Sequence, residues 1–218
     1  MALTTSRPAE AAEAGNAVYA VTYFEAAPAD ASKVATEVKE YVAASRKEAG
    51  NLAVAAFEEI GRPSRFAILA GWESKAAADA HAGAAPTTAF DDKVQPLLVG
   101  PFEMRDGSGF SLAPPAATAP AAAAVYGLTH VDVFPAGKDQ AAVLVTALAE
   151  ANRKLPGNLQ FDVLQIVGHP NHFTLVQGWR DREAFDDSLM AASTRDFRGK
   201  LTPLEGALYD ERLYHALR

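Results

Sequence analysis

Apolar positions along this chain change period in a fixed order, and the order occurs twice. From Val18 to Glu25 (VYAVTYFE) β-branched and aromatic residues dominate with partial alternation, which predicts a strand. Asp30 suits a helix N-cap, and beyond it Val34, Val38, Tyr41 and Val42 share one helical face. A helix to about Glu48, stopped by Gly50, follows from that spacing. Val54 to Ile60 and Phe66 to Trp72 read as two strands around the turn Gly61-Arg62-Pro63-Ser64. Ser74 then caps a short helix, Phe90, Val94 and Leu97 continue a helical stripe, and a last strand is expected near Phe102 to Arg105. The predicted order is β-α-β-β-α-β, the ferredoxin-like arrangement of an α+β module.

The second pass matches the first at a constant offset of 107 residues without a gap. VYAVTYFEAAP from Val18 falls on VYGLTHVDVFP from Val125, and Gly50-Asn51-Leu52 on Gly157-Asn158-Leu159. Gly61-Arg62-Pro63 meets Gly168-His169-Pro170, Gly71-Trp72 meets Gly178-Trp179, Phe90 meets Phe197, and Pro96-Leu97 meets Pro203-Leu204. The second copy's first helix is predicted from about Gln140 to Lys154, with Leu144, Leu148 and Ala151 inward, and Asp181 caps its short helix.

Modules are expected at 16–106 and 125–218, after a flexible tail at 1–15. Between them Gly107 to Ala124 (GSGFSLAPPAATAPAAAA) has little to bury and reads as a linker. Helices cover one face of a four-stranded sheet, and an open apolar second face is an aggregation liability. Two linked copies packed sheet to sheet, as an intrachain pseudo-dimer, remove it.

Composition narrows the chemistry. Hydrophobic residues are 49% and charged residues 22% of 218, an ordinary globular balance. With no cysteine, disulfides and thiolate metal sites are excluded. A net charge of −7 argues against a nucleic-acid groove. No apolar run approaches the roughly 20 residues a membrane helix needs, and MALTTSRPAEAAEAGN has no apolar core of a secretory signal, so a cytoplasmic protein is expected. His169 and His172 have a metal-like spacing, but their counterparts are Arg62 and Arg65 on a turn. Without a Gly-rich dinucleotide fingerprint either, no metal, heme or flavin is expected as a cofactor.

The segment Arg62-Pro63-Ser64-Arg65-Phe66, Gly71-Trp72-Glu73-Ser74, Ala76-Ala77-Ala78 and His81 resembles the antibiotic biosynthesis monooxygenase (ABM) family. The second copy keeps Pro170, Phe173, Trp179, Asp181 and Glu183-Ala184 but has Ser188 in place of the histidine. The resemblance implies a dimeric α/β barrel, closed here by two repeats of one chain. It also implies a cofactor-independent monooxygenase that oxidises a small aromatic or quinol-like substrate with O2. Many relatives carry a glutamate two residues before the strand tryptophan, where this chain has Ala70 and Gln177. The heme-degrading branch would need a histidine on the second helical segment, where the chain has Asp91 and Arg198. A duplicated barrel that binds a ligand or stabilises a partner without catalysis is the alternative, and further homo-oligomerisation is open to either.

The pocket is expected between sheet and helices. Trp72 and Trp179 end equivalent strands on the parity of Phe66 and Ile68, and of Phe173 and Leu175, so each extends an apolar wall suited to a flat ligand. His81 and His130 are the candidate general bases, since imidazole titrates near neutrality. Tyr23, the counterpart of His130, shares the parity of Tyr19 and either lines that cavity or lies at the module interface.

Overall fold

The computed structural model describes residues 16–113 and 122–218, so the expected tail and the stretch 114–121 of the expected linker lie outside the described residues. The first repeat runs β1 (Val18–Glu25), α1 (Ala31–Ser45), β2 (Asn51–Glu59), β3 (Arg62–Trp72), α2 (Lys75–Ala82), α3 (Ala85–Val94) and β4 (Glu103–Ser111). The second runs β5 (Val125–Asp132), α4 (Lys138–Asn152), β6 (Asn158–Ile166), β7 (His172–Trp179), α5 (Arg182–Met190), α6 (Ala192–Leu201) and β8 (Asp210–Ala216). The strands close into one barrel in the order β1-β3-β2-β8-β5-β7-β6-β4. The repeats therefore share hydrogen-bonded edges, β2 with β8 and β4 with β6, as well as an interior.

Each sheet separates two cores. Under the helices of the first repeat lie Phe24, Val34, Val38, Phe66, Trp72 and Phe90, and under those of the second Val145, Phe161, Phe173, Trp179 and Phe197. Inside the barrel, Val21, Phe57 and Leu69 meet Tyr126, Leu128, Leu164, Val176 and Tyr214. Both faces of β3, β5 and β7 are largely buried, which explains why alternation in the sequence is only partial.

Several boundaries differ from expectation. The last strand of the first repeat continues to Ser111, so the expected linker begins as strand, pairing Gly107 with Ile166 and Ser111 with Val163. GSGFS has no strand propensity of its own, and the β6 edge supplies its order. Asp30 precedes α1 without a side-chain cap bond, whereas Ser74 and Asp181 accept from the backbone N–H of Ala77 and Ala184 as expected. Each second helical segment is two helices, because Ala84 and Ala191 adopt extended backbone. No helix among the described residues is long and apolar enough to cross a membrane.

The Gly50 and Gly157 matches have a steric reason. Both have left-handed backbone (φ +76° and +82°), and an added Cβ would lie 2.6 Å from Ala77 Cβ or 2.5 Å from Ala184 Cβ. Gly168 also has positive φ, but nothing lies within 4 Å of its Cβ position. Gly168→Ala should therefore cost about 1–2 kcal/mol of backbone strain alone. Gly157→Ala adds a clash with a packed helix and should cost about 2–4 kcal/mol. Urea unfolding of both variants checks this, and equal midpoints would contradict it.

Candidate active site

The five residues expected to line pockets divide between the two faces of the sheet. Trp72 and Trp179 lie under the helices, whereas Tyr23 and His130 point into the barrel. A cavity combining Trp72 with Tyr23, or Trp179 with His130, is thus ruled out by strand parity. Tyr23 and His130 instead meet each other across the repeat interface, with ring centroids 5.4 Å apart in an edge-on contact.

That interior pair is tightly enclosed. Tyr23 Oη is buried without a hydrogen-bond partner among the described residues, and the guanidinium carbons of Arg105 and Arg212 each lie 5.8 Å from its ring centre. Burial pushes its hydroxyl pKa up despite those two cations. His130 Nδ1 lies 3.1 Å from Thr174 Oγ1. Burial first, then Arg105 and Arg212, push the His130 pKa down to about 3, so the ring is neutral at physiological pH. Because the unfolded ring titrates near 6.5, stability is complete above that pH and is lost as pH falls toward the folded value. Replacing this titration by His130→Gln should remove about 3 kcal/mol of the loss between pH 6.5 and 4. Melting curves of both proteins across that range check it; parallel slopes would contradict it.

His81 is buried, with 8% of its surface exposed, and its ring stacks on Trp72 at 4.3 Å. Its Nδ1 lies 2.9 Å from Glu48 Oε2 and its Nε2 2.7 Å from Tyr41 Oη. A carboxylate only accepts, so Nδ1 donates to Glu48, while Nε2 pairs with the Tyr41 hydroxyl. Both ring nitrogens are thereby used by the protein. Burial pushes the Tyr41 pKa up to about 12, so the hydroxyl stays protonated. Tyr41 also stacks on Phe90 at 4.4 Å. The expected role of His81 as a base has no free nitrogen to work with.

The second repeat is built differently at the same place. A cavity of about 280 Å³ opens between sheet and helices, lined among others by Leu148, Gln177, Ser188, Arg198, Tyr209 and Glu211. Trp179 is fully buried, and its Nε1 donates at 3.2 Å to Oε1 of Gln177, a lining residue. This bond turns the Gln177 amide nitrogen toward Thr129 and Glu211, 3.5 Å from each. Thr129 Oγ1 donates to Glu211 Oε1 at 3.2 Å. Burial raises the Glu211 pKa and outweighs the donors and the Arg198 charge that lower it. Arg198 lies over the Tyr209 ring, its guanidinium carbon 3.5 Å from the centroid, and reaches Glu205 at 3.4 Å. A basic carboxylate and a cation thus border a half-apolar space, the pattern of a site that removes a proton and holds the resulting anion.

Arg198, Tyr209 and Glu211 were not singled out from the sequence, although a signal existed. At the offset of 107 their counterparts are Asp91, Phe102 and Met104, while Ala70 stands for Gln177, His81 for Ser188 and Tyr41 for Leu148. Every lining position of the cavity differs between the copies except Thr194, whose counterpart is Thr87. A further hollow of about 300 Å³ lies at the barrel mouth, bordered by Tyr23, Glu59, Arg65, Glu103, Arg212 and Tyr214. Among the described residues no His, Cys, Asp and Glu side chains converge as a metal-binding group; His169 and His172 stack on each other at 5.2 Å.

Comparison with known proteins agrees with this architecture. The family model for antibiotic biosynthesis monooxygenase matches residues 17–93 and 125–200, more than half the chain, and the chain belongs to that family. No curated protein matches it. Among solved structures, a candidate monooxygenase from Fusobacterium nucleatum superposes with a TM-score of 0.85 at 15% identity, covering 93% of each chain. One from Lactobacillus acidophilus superposes at 0.78 and 14% identity, covering 93% of this chain and 95% of its own. An anthrone oxidase-like protein reaches 0.73 at 12% identity, covering 95% of this chain and 93% of its own. At such identities these structures establish the fold, two repeats closing one barrel.

Proposed function

We propose that the chain is a cofactor-independent monooxygenase that oxidises a small aromatic or quinol-like molecule with O2 in the second-repeat cavity. The observation that carries this reading is the half-buried Glu211 carboxylate, with a raised pKa, in the same 280 Å³ cavity as Arg198. Family membership supports the reaction class.

In this scheme the substrate supplies the electrons, and the protein supplies a proton acceptor, an oxyanion partner and a dry wall. Glu211 takes a proton from an activated CH2 or phenol, and Arg198, with the Gln177 amide, stabilises the enolate or phenolate oxygen. For a CH2 substrate the carbanionic carbon bonds to O2, and the proton held on Glu211 converts the product to a hydroperoxide. Loss of the remaining C–H proton and cleavage of the O–O bond give a ketone and water. One CH2 and one O2 become one C=O and one H2O, a four-electron oxidation matched by the four-electron reduction of O2. Displacement of water by Leu148 and Leu189 favours the anion's contact with Arg198 over its hydration.

The anthrone oxidase-like structure suggests anthrone as the first probe. The protein should consume one O2 per anthrone, yield anthraquinone and release no hydrogen peroxide, faster than the uncatalysed background. Saturable binding of anthrone with no oxygen uptake above background would favour the non-catalytic barrel instead.

A further inference from the structure

The two repeats share a backbone plan but not the space between helices and sheet. In the second, Leu148, Ser188 and Gln177 line an open cavity, and Gln177 carries the hydrogen bond from Trp179. In the first, the counterparts of Leu148 and Ser188 are Tyr41 and His81, and both are held in place. The His81 ring stacks on Trp72 at 4.3 Å, and Tyr41 stacks on Phe90 at 4.4 Å. A hydrogen-bonded line from Tyr41 Oη through the His81 ring to Glu48 Oε2, of 2.7 and 2.9 Å, fixes the two rings to each other.

We infer that, of the two spaces between helices and sheet, only that of the second repeat takes a ligand, one molecule per chain, because Tyr41 and His81 close the equivalent volume of the first. This rests on the reading of the second-repeat cavity as the ligand site. A ligand entering the first repeat must move two aromatic rings and break both bonds to His81. It would also strip Glu48 of its donor, and Glu48 Oε1 is already buried without a partner among the described residues. The second repeat has Leu155 where the first has Glu48, so it has no carboxylate to complete such a clamp. Charge follows the same division. Gln177, Arg198 and Glu211 border the open cavity, and their counterparts in the first repeat are Ala70, Asp91 and Met104. The first repeat therefore lacks the room to bind a ligand and, separately, the charged groups that the proposed chemistry needs. It acts as the half that completes the barrel.

The sequence provides its own reporters, since it has two tryptophans, one in each repeat at equivalent positions. In protein labelled with 15N-tryptophan, the two indole N–H resonances are assigned with Trp72→Phe and then followed during titration with 2-naphthol. The expected result is a saturable shift of the Trp179 resonance, complete at one equivalent, with the Trp72 resonance unmoved. In the double variant Tyr41→Leu, His81→Ser, which installs the second repeat's residues in the first, both resonances should move and occupancy should rise from one to two. Movement of both in the unaltered protein would overturn the one-site inference while leaving the second-repeat site standing. Movement of neither would overturn both. Should the double variant fail to fold, the titration of the unaltered protein decides alone.

Discussion

Glu211→Gln is expected to lower kcat/KM for anthrone oxidation by about 10²–10⁴-fold, the range lost with a positioned general base, while leaving the melting temperature nearly unchanged. Glutamine keeps the shape and still accepts from Thr129, so the bond at 3.2 Å survives. What disappears is the group that takes the proton. The loss should fall mainly on kcat, because the carboxylate acts as the anion forms rather than when the neutral substrate docks. The pH profile provides an independent check. A base works when deprotonated, and burial raises the pKa of Glu211, so activity in the unaltered protein should fall as pH drops through a value above the ordinary carboxylate range. In the variant that limb should vanish. If Glu211→Gln oxidises anthrone at the original rate, Glu211 is not the base and the proposed chemistry fails.

How much of this was legible in the sequence depended on what kind of signal each feature leaves. The repeat, the element order and the helix caps at Ser74 and Asp181 were readable because identical residues recur at one offset and local chemistry fixes them. Strand parity was also readable, and it correctly joined Trp72 to Phe66 and Ile68. The failure lay in treating Tyr23 as a neighbour of Trp72. Both faces of β1 are apolar, so nothing in VYAVTYFE says which parity faces the helices, and the register with β3 decides it. The stacking of His81 on Trp72 fits the expected pairing, but its other partners left no sequence signal. Its burial depends on Tyr41, 40 residues earlier, and on Glu48, 33 residues earlier, and no periodicity connects a helix end to the next helical segment. The site role of Arg198 and Glu211 leaves no mark among the identities between the copies, since their counterparts are Asp91 and Met104. A duplicated fold needs its glycines, caps and core in both halves, whereas a site needs to exist only once, so its residues are free to diverge at matched positions.

Residues 1–113 expressed alone should not yield a folded monomer; the expected species is a homodimer or an aggregate. The fragment retains β1, β2, β3 and β4 with their helices, but loses the partners of both outer strands. The β2 edge pairs Phe57, Glu58 and Glu59 with β8, and the β4 edge pairs Gly107 to Ser111 with β6. Its inner face would present Val21, Tyr23, Phe57, Ala67 and Leu69 to water, along with the Arg105 charge. An open sheet with free edges and an apolar face is the form that associates. The route to a dimer is built into the topology, because β8 corresponds to β4 and β6 to β2 at the repeat offset. Two copies of the fragment could re-create both junctions, β2 of each meeting β4 of the other, around a true two-fold axis. The substitution of a second Tyr23 for His130 at that axis is the main difference the new interior must absorb. Sedimentation velocity with a thermal melt at several concentrations distinguishes the outcomes. A melting temperature that rises with concentration marks a dimer whose folding and association are one event. A monomer with a cooperative, concentration-independent melt would show that each repeat is stable alone, and barrel closure would then not be what holds the fold together.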